Sequence, residues 1–243
     1  MPKADYLPLP ITVEEITPRW LTAALRQRAP GVTIRDCEVV DTIFTTCSKI
    51  RLRLDRDEAA IEAGIPELII VKGGFEEHAR GLFQMHDREV RGYRDIYPEI
   101  PLPHPECYFA DSDEERSQGI IIMEDLVARG VEFCHATRPQ NFEQVSRRLG
   151  ELARFHAASW QSPEIGPGGK WHDLRDFFEA MQSFFDIKSS PENWQRFCSM
   201  PRGVASSVRF LDRDWMIESW KKVISYGQQL PQSLQFVAHD RVR

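Results

Sequence analysis

The stretch PELIIVKGGF, residues 66–75, is a short apolar run that ends in a lysine and two glycines. An apolar run of this length between turn-forming residues predicts a buried strand. Lys72 closes the strand, and its charge needs a carboxylate, a bound anion or water as a partner. Such a lysine can hold phosphate oxygens as a point charge. On this stretch alone, a side chain that extends its ammonium group into solvent is the commoner case.

The residues before this strand predict a β-hairpin. The stretch VTIRDCEVVDTIFTTCSKIRLRLD, residues 32–55, is rich in β-branched residues. Its second half alternates Ile50, Leu52 and Leu54 with charged residues, which predicts one buried and one solvated face.

The turn of this hairpin is the place where a loop could cover phosphate groups. Thr45, Thr46 and Ser48 could donate hydroxyl and backbone N–H groups there. The turn contains no glycine, although close approach of the backbone to phosphate favours glycine. The sequence has no GxGxxG or GxxxxGK[ST] motif.

Two segments after the lysine strand carry further candidate residues. The stretch EEHARGLFQMHDREVRGYRDIYP predicts a helix that ends before Pro98, with Glu89 in its middle. Glu89 could cross to Lys72, or it could be an ordinary solvated helix glutamate. The stretch GIIIMEDL predicts another buried strand, and its terminal acids, Glu124 and Asp125, either line a cleft or only mark the end of the strand.

The sequence predicts helices at the N-terminus and throughout its second half. Thr12 and Glu15 have the spacing of a capping box for a helix that stops at Pro30. In NFEQVSRRLGELARFHAASW, a buried stripe at helical spacing is predicted at positions 142, 145, 149, 152, 153, 156 and 160, with His156 on it as a core histidine. DLRDFFEAMQSFFD has a second stripe of this kind, and RDWMIESWKKVISYGQQL is predicted to be a third helix. The pattern predicts an α+β protein of two lobes that divide near Leu126.

Composition narrows the classes of function. The chain has 31 basic and 37 acidic residues and a net charge of −6, which argues against nucleic acid or an anionic membrane as a partner. No apolar stretch is long enough to span a bilayer, and no leader pattern occurs, so we expect a cytoplasmic protein. The five cysteines lack metal-ligand spacing and are expected to be reduced thiols.

The order of these stretches is more specific than any one of them. LIIVKGGF, DREVRGYRDI, IIIMEDL and LGELARFHAASW together resemble the aminoglycoside-phosphotransferase and choline-kinase-like branch of the protein-kinase-like superfamily, and its ecdysteroid-kinase-like members most closely. The resemblance runs from about Val39 to Trp160. It implies an antiparallel-sheet N-lobe at residues 1–122, a hinge at 123–126 and an incomplete helical C-lobe at 127–243.

The resemblance also implies roles for individual residues. Lys72 would contact the phosphates of ATP, Glu89 would hold Lys72, and His156 would be structural. Four hinge residues would hold the adenine through their backbone: Met123, Glu124, Asp125 and Leu126. The implied activity is ATP- and Mg²⁺-dependent phosphorylation of a hydroxyl on a small molecule. Acidic residues of the C-lobe, Asp173, Asp176 and Glu179, would suit a cationic or polar substrate.

The end of the sequence, FVAHDRVR, leaves two interpretations open. Asp240 is the catalytic aspartate of a degraded loop, or residues 231–243 are a linker and the catalytic loop lies outside this chain. The metal ligands stay unknown in both cases. The alternative function is a truncated, catalytically dead module that binds nucleotide or a partner, because an incomplete lobe would expose phenylalanines to a homo-oligomer or another protein. These are Phe177, Phe178, Phe184 and Phe185.

Overall fold

The structure is a computed structural model that describes residues 7–45, 47–100, 103–134, 138–172, 182 and 185–229. The described residues of 1–158 form one compact unit, and those of 159–237 form a second. The first unit contains a five-stranded sheet with helices, and the second is helical where it is described. This arrangement confirms the α+β class.

The sheet of the first unit is antiparallel, in the order β1-β2-β3-β5-β4. Four of its strands were predicted, and the fourth in chain order was not, because its sequence CYFADSD ends in three polar residues that read as a loop. The strands are β1 (Ile34–Ile43), β2 (Ser48–Arg56), β3 (Leu68–Gly73), β4 (Cys107–Asp113) and β5 (Gln118–Glu124).

One face of this sheet carries the main hydrophobic core. Ile50, Leu52 and Leu54 of β2 are 0%, 1% and 3% exposed, which confirms the predicted alternation. They belong to the same cluster as Trp20 and Leu21 of the first helix, α1 (Pro18–Leu25). Apolar burial of this extent is the main source of stability for the sheet.

The predicted capping box is wrong. Helix α1 begins at Pro18, and its N-cap is Thr17, whose hydroxyl accepts the Trp20 N–H at 3.2 Å. Proline suits the first helical position and disfavours helical geometry in the residue before it, so a helix from Thr12 could not run through Pro18. Val13–Glu15 forms only a 3-10 turn, and Glu15 accepts the Ile11 N–H instead of the Thr12 N–H.

The opposite face of the sheet carries the helix that holds Glu89. The predicted single helix is divided into α3 (Glu77–Arg80), α4 (Phe83–Arg91) and a π-helical turn (Gly92–Ile96), and a short helix α2 (Glu58–Glu62) lies earlier in the chain. Helix α4 packs chiefly on β5 and β4. Its Val90 forms a small apolar cluster with Ile121 and Met123.

Helix α5 (Phe142–Ser159) is present as predicted, but its predicted buried stripe is wrong. Phe142 is 84% exposed and Leu149 is 60% exposed, whereas Phe155, which the stripe omits, is fully buried. The Phe155 ring packs against Tyr97 with 6.3 Å between ring centroids. His156 is only half-buried, and this burial lowers its pKa. Burial on this helix follows the partners that it meets rather than periodicity alone.

The described part of the second unit contains the predicted helix near its end. This helix, α9 (Arg213–Gln229), follows α6 (Pro191–Ser199), α7 (Pro201–Val204) and α8 (Val208–Leu211). Phe185 stacks on Trp220 with 4.9 Å between ring centroids. The other candidate residues of the DLRDFFEAMQSFFD helix lie outside the described residues: Asp173, Asp176, Phe177, Phe178, Glu179 and Phe184. None of the described helices combines the length and the apolar composition that crossing a membrane requires.

Candidate nucleotide site

Lys72 and Glu89 come together on the α4 face of the sheet. Side chains alternate between the two faces of a strand. Val71 lies on the core face, so Lys72 lies on the other face of the sheet. Glu89, on α4, reaches down to this face, and its Oε1 accepts a hydrogen bond from the Lys72 Nζ. The Lys72 side chain is 18% exposed and the Glu89 side chain 28%. The pair joins the helix to the sheet and holds one ammonium group at the edge of solvent.

A second contact joins α4 to the hairpin turn. His86 lies three residues before Glu89 and is 2% exposed. Its Nε2 is 3.2 Å from the Ala79 carbonyl oxygen, which can only accept, so Nε2 carries the proton. Nδ1 therefore accepts a hydrogen bond from the Cys47 thiol, with 3.1 Å between Nδ1 and Sγ. Burial lowers the pKa of His86, so the ring is neutral at physiological pH.

The glycines around this histidine are required by close packing. A Cβ on Gly74 would lie 2.9 Å from the His86 Nε2, and a Cβ on Gly119 would lie 2.9 Å from the His86 Cβ. The second glycine of the KGG sequence is therefore explained by the imidazole beside it, since a larger residue would displace the ring.

The turn between β1 and β2 uses its own hydroxyl groups. Thr45 donates its hydroxyl to the Cys47 carbonyl at 2.7 Å. Ser48 is fully buried; its hydroxyl donates to the Thr45 carbonyl at 3.2 Å and accepts the Thr45 N–H at 3.3 Å. Thr46 lies outside the described residues. Both described hydroxyls shape the turn, and only that of the exposed Thr45 is at the surface.

The residues predicted as a hinge begin at the end of β5. Met123 lies on the α4 face, and its sulfur is 4.0 Å from the Tyr93 hydroxyl. The Glu124 side chain pairs with Arg129 at 2.9 Å. The carbonyl of Leu126 accepts the Val131 N–H at 2.9 Å, which closes a short loop after Leu126.

The Asp125 side chain anchors the segment that was predicted as a hinge. Its side chain is 1% exposed, and its Oδ1 accepts the N–H groups of Val127 and Ala128 at 2.9 and 3.3 Å. Its Oδ2 accepts the Arg51 Nε at 2.5 Å. Arg51 lies on β2, so this ion pair joins the predicted hinge segment to the sheet. Arg51 was not among the predicted site residues, although its alternation with Ile50 and Leu52 placed it on the face opposite the core.

A shallow cavity of about 290 Å³ lies beside the hinge. Lys72 and Glu89 are not among its lining residues, so the cavity does not include the lysine–glutamate pair. The lining residues are Pro66, Glu67, Leu68, Glu124, Asp125, Ala128 and Arg129.

The magnesium ligands stay unassigned. Among the residues that the structure describes, no three histidine, cysteine, aspartate or glutamate side chains lie close enough to share a metal ion. Asp240, the candidate catalytic residue, lies outside the described residues.

Comparison with known families gives the class of the protein. The model of the ecdysteroid kinase-like family matches residues 41–179, more than half of the chain. The chain therefore belongs to this family, which is a branch of the protein-kinase-like superfamily, and the antiparallel sheet with α4 is the N-lobe of that fold. This confirms the resemblance seen in the sequence. Searches of curated proteins and of solved structures find no match.

Proposed function

We propose that this protein binds ATP on the α4 face of its sheet and transfers the terminal phosphoryl group to a hydroxyl of a small molecule. The observation that carries the proposal is the Lys72–Glu89 ion pair between β3 and α4, in a chain of a kinase-like family. Phosphoryl transfer needs little covalent chemistry from the protein, and its catalysis consists mainly of positioning and charge stabilisation. A lysine fixed by a helix carboxylate is suited to that task.

Each part of the site has a task in this proposal. Lys72 binds phosphate oxygens, and Glu89 keeps its ammonium group from turning away. The backbone of residues 123–126 binds the adenine, and the Arg51–Asp125 ion pair holds that backbone in place. Contact of Cys47 with His86 keeps the hairpin turn beside α4.

Mg²⁺ would accompany the nucleotide and neutralise charge that develops on the phosphates during transfer. We assign no described residue as its ligand, because the described part of the chain contains no suitable cluster. Asp240 is proposed as the residue that accepts the proton of the substrate hydroxyl.

The test is transfer of labelled phosphate from ATP to a panel of acceptors. The panel contains a polyhydroxylated steroid, an amino alcohol and an aminoglycoside, since the family and its resemblances point to these classes. We expect transfer to at least one acceptor. Lys72→Ala should lower kcat/KM by about 100-fold or more, whereas Arg53→Ala, on the same sheet face, should leave it unchanged. Transfer that survives in Lys72→Ala at the wild-type rate would refute the proposal.

A nucleotide-binding module without turnover is the second candidate. The Lys72–Glu89 pair favours it equally, because this pair explains binding of phosphates and does not by itself explain chemistry. Asp240→Asn separates the two candidates. If Asp240 is catalytic, the variant should bind ATP normally and lose transfer; equal transfer by both proteins would remove Asp240 from the mechanism.

A further inference from the structure

The strand register places a second lysine directly opposite Lys72. Lys49 of β2 is the cross-strand partner of Lys72 in β3. Directly opposed residues in an antiparallel pair share one face, with their Cβ atoms roughly 5 Å apart. The neighbours of Lys49 in β2, Ser48 and Ile50, are fully buried in the core face, so Lys49 lies on the α4 face with Lys72.

Two rows of side chains cross this face. The first row contains Lys49, Lys72 and Ile121, and the second contains Arg51, Ile70 and Met123. Helix α4 packs chiefly on β5 and β4, so it covers the end of each row at β5. Lys72 therefore has Glu89 of α4 on one side and Lys49 on the other.

The first row brings two cations together. Lys49 and Lys72 face each other across the two strands, and Lys72 also contacts Glu89. Two ammonium groups that extend from neighbouring positions on one face can bind successive phosphate groups of one polyphosphate chain.

We propose that Lys49 is a second phosphate-binding lysine, which shares the polyphosphate chain of a nucleoside di- or triphosphate with Lys72. Lys49 is the second residue of β2 and comes directly after Ser48, where the hairpin turn ends. It therefore lies where that turn would meet the phosphates. This inference rests on the nucleotide site proposed above and extends it. One lysine is enough for a monophosphate, whereas the affinity gained from further phosphates depends on the second.

The test compares the binding of AMP, ADP and ATP by calorimetry, in the wild type and in Lys49→Ala. We expect ATP to bind about tenfold more weakly to Lys49→Ala, as for the loss of one charge-assisted contact, while AMP affinity changes less than about twofold. Lys49→Arg keeps the charge and should stay within about threefold of the wild type for ATP. Arg53→Ala is the matched control, because Arg53 lies on the same strand and face but is 50% exposed and pairs with Glu38 and Glu67.

The outcomes separate the two proposals. If the wild type binds ATP and the ratio of ATP to AMP affinity is the same in Lys49→Ala, the second lysine is not a phosphate ligand, and the nucleotide site stands without it. If the folded wild type binds no nucleotide, both proposals fail.

Discussion

Removal of the Arg51 guanidinium should destabilise the N-lobe far more than removal of a neighbouring arginine. Arg51→Ala leaves the Asp125 carboxylate, whose side chain is 1% exposed, without its cation. Breaking a buried ion pair in this way costs about 3–5 kcal/mol. Asp125 retains two backbone N–H donors, and the Arg51 side chain is itself 26% exposed, so we expect the lower end, about 3 kcal/mol.

The control is Arg53→Ala on the same strand. Arg53 pairs with Glu38 at 3.0 Å, but the two side chains are 50% and 69% exposed, and such surface pairs contribute about 0–1 kcal/mol. Each kcal/mol shifts Tm by about 2–4 °C for a chain of this size. We therefore expect Arg51→Ala to lower Tm by about 6–12 °C, and Arg53→Ala by at most about 4 °C. Equal shifts in the two variants, measured by circular dichroism during heating, would refute the anchoring role of Asp125.

Three further predictions concern Glu89, His86 and Cys107. Glu89→Gln should lower kcat of the proposed transfer more than about tenfold in a protein that stays folded by circular dichroism, because the lost charge no longer holds Lys72; a normal rate would exclude a positioning role. Because burial lowers the pKa of His86 below its ordinary 6.5, the unfolded chain binds more protons than the folded chain below about pH 6.5, and stability falls there as pH decreases. His86→Gln should flatten the fall in the urea midpoint between about pH 6.5 and 5, and an unchanged slope would contradict this. Burial raises the pKa of Cys107 to about 11, so a maleimide at pH 8 should label exposed Cys134 much faster than Cys107; equal labelling in mass spectra would show that Cys107 is accessible.

The sequence predicted those parts of the fold that alternate strongly. Strand β2 alternates apolar and charged residues without interruption, and β5 is a continuous apolar run, so each has one interpretation. Strand β4 was missed because only Tyr108 and Phe109 are buried in it, and its polar end pairs with β5 through the backbone. Backbone pairing leaves little trace in a side-chain pattern.

Helix positions were harder to predict than strands. The capping box at Thr12 has the correct spacing, but Pro18 moves the start of the helix to the next suitable cap, Thr17. The apolar stripe of α5 has the correct period, yet the sheet unit buries Phe155 and leaves Phe142 and Leu149 exposed. Periodicity shows which residues share a face, and only tertiary contacts decide which face is buried.

The contact between Lys72 and Glu89 was predicted, and the contacts of the residues around it were not. The lysine at the end of β3 and the glutamate on α4 were found because their order along the chain is informative. Arg51 and Lys49 were missed because their partners, Asp125 and Lys72, are distant in sequence and adjacent only through the register of β2 and the position of the hinge. Register is a property of paired strands, so one strand read alone does not reveal it.

The most direct test of a nucleotide site at Lys72 is calorimetric titration of Mg²⁺-ATP into the wild type and into Lys72→Ala. We expect saturable binding to the wild type, and binding to Lys72→Ala that is weaker by about tenfold or more with unchanged circular dichroism. Equal affinity in the two proteins, or no binding to a folded wild type, would contradict a nucleotide site at the Lys72–Glu89 pair.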